Sequence, residues 1–142
     1  MTTAVDSSVL IAGVMSWHEQ HTASRSELEA LAASTPAPVL PAHALVECYS
    51  VLTRMPAPHR IAAHDAHALL SGSFAAWDVV GGTHNVWSLL AHLADNEITG
   101  GMVYDALIVD SALAAGAREI VTWNIAHFKR VANGRLIVRQ PR

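Results

Sequence analysis

The stretch TTAVDSSVLI, residues 2–11, decides how this chain is read. Thr3–Asp6 suits a short strand, and Ser8–Met15 suits a helix. A strand that ends in a carboxylate and turns at once into a helix delivers Asp6 to the end of an α/β unit. Two readings fit Asp6. It is an N-cap, which Asp serves well, or it belongs to a chemical site whose partners lie elsewhere in the chain.

Working outward, strand and helix patterns keep alternating. A second helix is expected over about 17–33 and a short strand at Val39–Leu40. Helices are expected over Ala42–Arg54 and His64–Ala75, and a strand at Asp78–Val80. The pattern continues with helices over 83–94 and Val103–Ala115, a strand at Glu119–Thr122, a helix over Ile125–Val131 and a last strand at Leu136–Val138. Prolines at 36, 38, 41, 56 and 58 and the pairs Gly81–Gly82 and Gly100–Gly101 supply the breaks. Short strands alternating with helices predict an α/β fold: a central parallel sheet flanked by helices on both faces, three layers in all. In such sheets sites form beyond the carboxyl ends of the strands. Asp6 and Thr122–Asn124 fall at two such ends.

The 142 residues are the size of one domain, and 51% are apolar, enough for one core. With one cysteine, Cys48, no disulfide framework exists, and a reducing, cytoplasmic setting is expected. The apolar run Val9–Met15 is too short to span a bilayer, so no membrane role is expected. Charge is uneven. Lys129, Arg130, Arg135, Arg139 and Arg142 cluster at the C-terminal end without an acid, whereas all twelve acids lie earlier. An acidic body argues against broad nonspecific nucleic-acid binding. The basic end reads as a solubilising tail, a partner contact or a local phosphate contact.

Three further residues join Asp6. Glu47 lies on the third helix with His43, Ser50 and Arg54 at helical spacing, opposite an apolar stripe of Leu45, Cys48, Tyr49 and Leu52. That polar stripe is either a solvated face or the lining of a cleft. Asp105, in MVYDALIVDSALAAGA, starts a helix apolar almost all round and is therefore expected at the mouth of the core. Asp110, five residues on, is turned about 140° away and ranks second. In EIVTWNIAHF, Thr122 and Asn124 follow a strand and precede a helix, where they cap or present oxygen. Three acids and an amide at separate strand ends and helices suit a hard divalent cation, which takes carboxylates, waters and substrate phosphate.

The segments AVDSSVLI, HALVECYSVLTR, YDALIVDSALAAGA and IVTWNIAHF, in that order, resemble the PIN-domain nuclease family, and most of all its VapC-type toxins. The resemblance spans essentially the whole chain. It implies a PIN-like fold and a metal-dependent endoribonuclease acting as the toxin of a toxin–antitoxin pair. It matches Asp6, Glu47 and Asp105 to the family's first three acids and Asn124 to a fourth position that carries Asp or Asn. Ser8 and Thr122 match the family's small polar positions. It implies Mg²⁺ or Mn²⁺ as cofactor, RNA as substrate, a VapB-type antitoxin as partner and a homodimer. Under it, Asp6 and Asp105 hold the ion and Glu47 orients the attacking water. The neutral Asn124 favours a single ion over two.

Other signals weigh less. HEQH at His18–His21 is not the H-E-x-x-H of zinc proteases, and with His64 and His67 it reads as polar helix surface. His127 falls near the cleft mouth. The four tryptophans read as core or interface residues, and strand alternation points Trp123 away from Thr122 and Asn124. The family resemblance implies that Met15, Trp17 and the Leu45–Leu52 stripe lie at a dimer or antitoxin surface. A haloacid-dehalogenase-type phosphatase needs an acid where Ser8 stands. A receiver domain needs clustered N-terminal acids. A non-catalytic PIN-like binding module remains the rival, and the presence of all three acids disfavours it.

Overall fold

The computed structural model describes residues 1–83 and 85–142. Five strands form one parallel sheet in the order β3-β2-β1-β4-β5: β1 Thr3–Val5, β2 Val39–Pro41, β3 Asp78–Val80, β4 Glu119–Val121 and β5 Ile137–Arg139. Every neighbouring pair is parallel, with Ala4 opposite Val39 on one side and Ile120 on the other. Among the described residues seven helices flank the sheet: α1 Ser7–Val14, α2 His21–Ala32, α3 Ala42–Arg54, α4 Ala63–Phe74, α5 Val86–Asp95, α6 Met102–Ala114 and α7 Ile125–Ala132. The winding direction reverses at β1, so right-handed crossovers to its two sides place helices on opposite faces. That reversal creates a switch point between the ends of β1 and β4, where such folds bind ligands.

The three central strands are short but buried. β1, β2 and β4 are buried throughout, and the edge strand β3 is largely exposed. Val5, Val9, Leu10, Leu40, Leu52, Ile108, Ile120 and Phe128 are fully buried in one core cluster. Helix α6 fills the centre as its apolar sequence requires, touching β2, α3, α5 and α7. Its end is set by Gly116 at φ 83, which a side chain disfavours. The Gly116 and Ala117 amides donate to the Leu113 and Ala112 carbonyls, the paired bonds that close a helix before β4. Gly13 is needed for another reason: a Cβ there would lie 2.4 Å from Leu28 Cδ1, so the glycine lets α1 and α2 touch.

Four expectations change. Helix α2 begins at His21 and not near Trp17, because residues 16–20 form turns. The His18 amide donates to the Met15 carbonyl and the Gln20 amide to the His18 ring, bonds that compete with a helix. Helix α5 starts at Val86, with Asn85 capping it through the Ser88 amide. Part of its expected start, residue 84, lies outside the described residues. Met15, Cys48 and Leu52 are buried and offer no partner surface, because the α3 stripe turns inward there. Trp17 remains exposed and stacks on His59. Finally, the basic end is not a free tail. Arg139 is mostly buried and ion-paired to Glu27, at 2.6 Å, and to Glu119. Arg130 donates to the Glu97 carbonyl, and Arg135 donates to the Val131 and Ala132 carbonyls.

Candidate active site at the switch point

Asp6 is the residue β1 delivers to the switch point. Its amide is held by the Val121 carbonyl of β4, and its side chain is 1% exposed. It does cap α1, accepting from the Ser8 amide at 3.3 Å, but capping uses little of it. Two hydroxyls converge on Oδ2: Ser8 Oγ at 2.7 Å and Thr122 Oγ1 at 2.8 Å. Each hydroxyl in turn accepts a backbone amide from the β4–α7 turn. The Trp123 amide donates to Ser8 and the Asn124 amide to Thr122. The polar positions expected around Asp6 thus tie the two strand ends together and aim one carboxylate.

Sequence reading passed over Ser7. Its Oγ lies 3.2 Å from Asp6 Oδ1 and 2.9 Å from Glu47 Oε1. One hydroxyl proton is shared between two carboxylates, one from β1 and one from the middle of α3. The polar α3 stripe is a cleft lining: His43, Glu47, Ser50 and Arg54 face Gly101, Tyr104 and Asp105 of the α6 start across a cleft of about 340 Å³. His43 Nε2 stands 3.7 Å from Glu47 Oε2 and its ring stacks on Tyr104.

Asp105 sits in the first turn of α6 with a side chain 18% exposed, at the mouth of the core as expected. Its carboxyl is pushed up to about 6, first by burial and then by the charges of Asp6 and Glu47. His127, 3.8 Å away, pulls the other way. The three acids are therefore close enough to feel one another, and no Lys or Arg pairs with any of them among the described residues.

The remaining candidates divide. Asn124 is exposed at the start of α7 and its side chain caps nothing. Asp110 points elsewhere, and its Oδ2 is buried without a hydrogen-bond partner among the described residues. Trp123 packs against the core and its indole donates to Ser24 at 2.8 Å, as strand alternation predicts. His21 Nδ1 is spent on the Ala12 carbonyl and His18 on the Gln20 amide, so HEQH is local structure. The Cys48 thiol is pushed up to about 12 by burial, and further by Glu47, which makes it inert.

Among the described residues no three His, Cys, Asp or Glu side chains stand close enough together to hold a metal ion by themselves. The donor set is open, all oxygen and partly hydroxyl-bound. That fits Mg²⁺ or Mn²⁺, which keep waters and need one or two carboxylates, and does not fit a closed zinc site.

Comparison with known proteins identifies the family and the fold. The PIN domain family model matches residues 3–134, and the chain belongs to the PIN domain family. It is 45% identical over 119 residues to Ribonuclease VapC40 of Mycobacterium tuberculosis, covering 81% of each chain. It is also 45% identical over 112 residues to Ribonuclease VapC27 of the same organism, covering 79% of this chain and 75% of the relative. Two solved structures share the fold. VapBC2 from Rickettsia felis, bound to a promoter DNA fragment, aligns with a TM-score of 0.71 over 99% of this chain and 98% of that one, at 19% identity. VapC20 of Mycobacterium tuberculosis, a Sarcin-Ricin loop cleaving toxin, aligns at 0.64 over 84% and 87%, at 17% identity.

Proposed function

We propose that this chain is a metal-dependent endoribonuclease and the toxin of a toxin–antitoxin pair. The observation that carries the reading is the meeting of Asp6, Glu47 and Asp105, from the end of β1, from α3 and from α6, at the switch point, with no Lys or Arg paired to them among the described residues. The 45% identity to two VapC ribonucleases supports RNA as the substrate class.

Asp6 and Asp105 would hold one Mg²⁺ or Mn²⁺, with Glu47 and Asn124 beside it. When bound, the ion supplies positive charge against the phosphodiester and acidifies a water. The chain's own residues do the rest. Ser8 and Thr122 lock the Asp6 carboxylate in one orientation. Ser7 fixes Glu47 relative to Asp6, and Glu47 orients the attacking water and takes its proton. His127 stands next to Asp105 at the cleft mouth, on the side where the basic α7 begins.

A small VapB-type antitoxin and a second copy of the chain are the proposed partners. An exposed apolar surface at Val46, Tyr49 and Val79, next to a groove lined by Leu45, Leu70 and Phe74, is available for one of them. The catalytic reading is tested by incubating wild type and Asp6→Asn with a panel of labelled structured RNAs in Mg²⁺, Mn²⁺ or EDTA. Discrete, metal-dependent cuts absent from the variant are expected. Equal cutting by the variant, or cutting in EDTA, would overturn the metal role of Asp6.

A further inference from the structure

The proposed catalytic acids Glu47 and Asp105 occupy only part of the α3–α6 cleft. The rest of it has a different chemistry. His43 and Tyr104 stack with ring centroids 5.3 Å apart and planes 4° from parallel. His43 thus covers one face of the Tyr104 ring, yet Tyr104 is still 55% exposed. Parallel stacking of this kind makes a rigid aromatic shelf. On the same α3 stripe, seven positions and about 10 Å beyond Glu47 by helical rise, stands Arg54. Arg54 is exposed, lines the same cleft and has no carboxylate partner among the described residues. An aromatic face and a free guanidinium flanking a carboxylate cluster form the pair of contacts that holds a nucleotide: a base stacks, and a phosphate meets Arg.

We infer that the Tyr104–His43 shelf and Arg54 form a nucleotide subsite, in which a single-stranded RNA base next to the cut stacks on Tyr104 and a neighbouring phosphate binds Arg54. The inference rests on the ribonuclease reading above. Its physical necessity lies in the charge of the cleft. In the metal-free cleft Glu47 and Asp105 repel a polyanion, so attraction there comes from stacking and from a cation set apart from the acids. His43, part of the shelf and 3.7 Å from Glu47, links base position to the site of chemistry.

The test is steady-state cleavage of the best RNA substrate at several salt concentrations, with anisotropy binding of the same labelled RNA in EDTA alongside. Tyr104→Ala should raise KM and Kd about tenfold, the loss of one stacked base. Tyr104→Phe, which keeps the ring, should stay close to wild type, and kcat should change little in both. Arg54→Ala should weaken binding and make its log–log salt slope shallower by about 0.7, one phosphate contact on a single strand. Tyr104→Ala should leave that slope unchanged. Wild-type cleavage with KM and slope unaltered by either substitution would overturn the subsite and leave the ribonuclease reading standing. A Tyr104→Phe defect as large as Tyr104→Ala would overturn the stacking role. Wild type that neither binds nor cuts RNA would overturn both.

Discussion

Glu27 is a buried carboxylate and Asp105 a partly buried one, and the fold treats them in opposite ways. Glu27, 6% exposed on α2, meets the Arg139 guanidinium and the Arg142 amide. Burial works against its charged form, but those hydrogen bonds and charges outweigh it and hold the carboxyl below its ordinary value. Asp105 is less buried, yet its carboxyl is pushed up to about 6, first by burial and then by the charges of Asp6 and Glu47, with no guanidinium to offset them as Arg139 does for Glu27. The first cluster carries its own counter-charge and is structural. The second has only His127 and His43 beside its acids and no Lys or Arg among the described residues, the imbalance that the proposed metal ion would relieve. Burial alone does not distinguish them; the sign of the neighbours does.

The largest effect should come from breaking the paired cluster. Arg139→Ala leaves Glu27 and Glu119 buried and unpaired, and should cost about 3–5 kcal/mol in urea denaturation. A loss below about 1 kcal/mol would mean the two clusters are not different in kind. The unpaired cluster should respond with the opposite sign. Asp105's folded-state pKa lies above its usual 3.8, so this group favours folding below about pH 4, and the benefit is lost as pH rises through about 6. Asp105→Asn should therefore stabilise the metal-free protein at pH 7.5 by on the order of 1–2 kcal/mol, with little effect at pH 4, while abolishing cleavage. Melting curves in EDTA at the two pH values measure it, and a destabilised variant at pH 7.5 would refute the account of Asp105. Glu27, depressed in the fold, gives the reverse trend: its stabilisation is present above about pH 4.5 and is lost as pH falls through its folded value.

A smaller effect sharpens the site itself. Ser7→Ala removes the link between Asp6 and Glu47. It should cost about 1 kcal/mol of stability and lower cleavage about 10- to 100-fold, as loss of a supporting hydrogen bond does in metal sites. Ser7→Thr should restore activity, and failure to do so would argue against the hydroxyl link. Smallest is Ser24→Ala, which takes the acceptor from the Trp123 indole. It should shift tryptophan emission and cost about 1 kcal/mol, with cleavage near wild type.

How much of this was legible in the chain follows from range. Thr3–Asp6, the all-apolar α6 and the Pro41–Ala42 boundary announce themselves through local pattern, so the alternating α/β order reads correctly. Asp6, Glu47 and Asp105 stand out as acids at strand ends or in helices. Ser7 does not, because two adjacent serines look alike until α3 arrives from 40 positions away and one of them meets Glu47. The basic end misled for the same reason. Arg139 looks like a solvated charge, and only its pairing with Glu27, 112 positions back, ties it down against the fold. The start of α2 was lost to His18, whose ring captures an amide that a helix would otherwise order.

The central claim is that the switch-point acids await a cation. Calorimetric titration of Mn²⁺ into wild type and into Asp105→Asn at pH 6, in buffers of different ionisation enthalpy, tests it without relying on activity. Wild type should bind one ion per chain and release a fraction of a proton as Asp105 gives up its hydrogen, whereas Asp105→Asn should bind far more weakly and release none. Equal binding by the two proteins, or no binding by wild type, would contradict the claim.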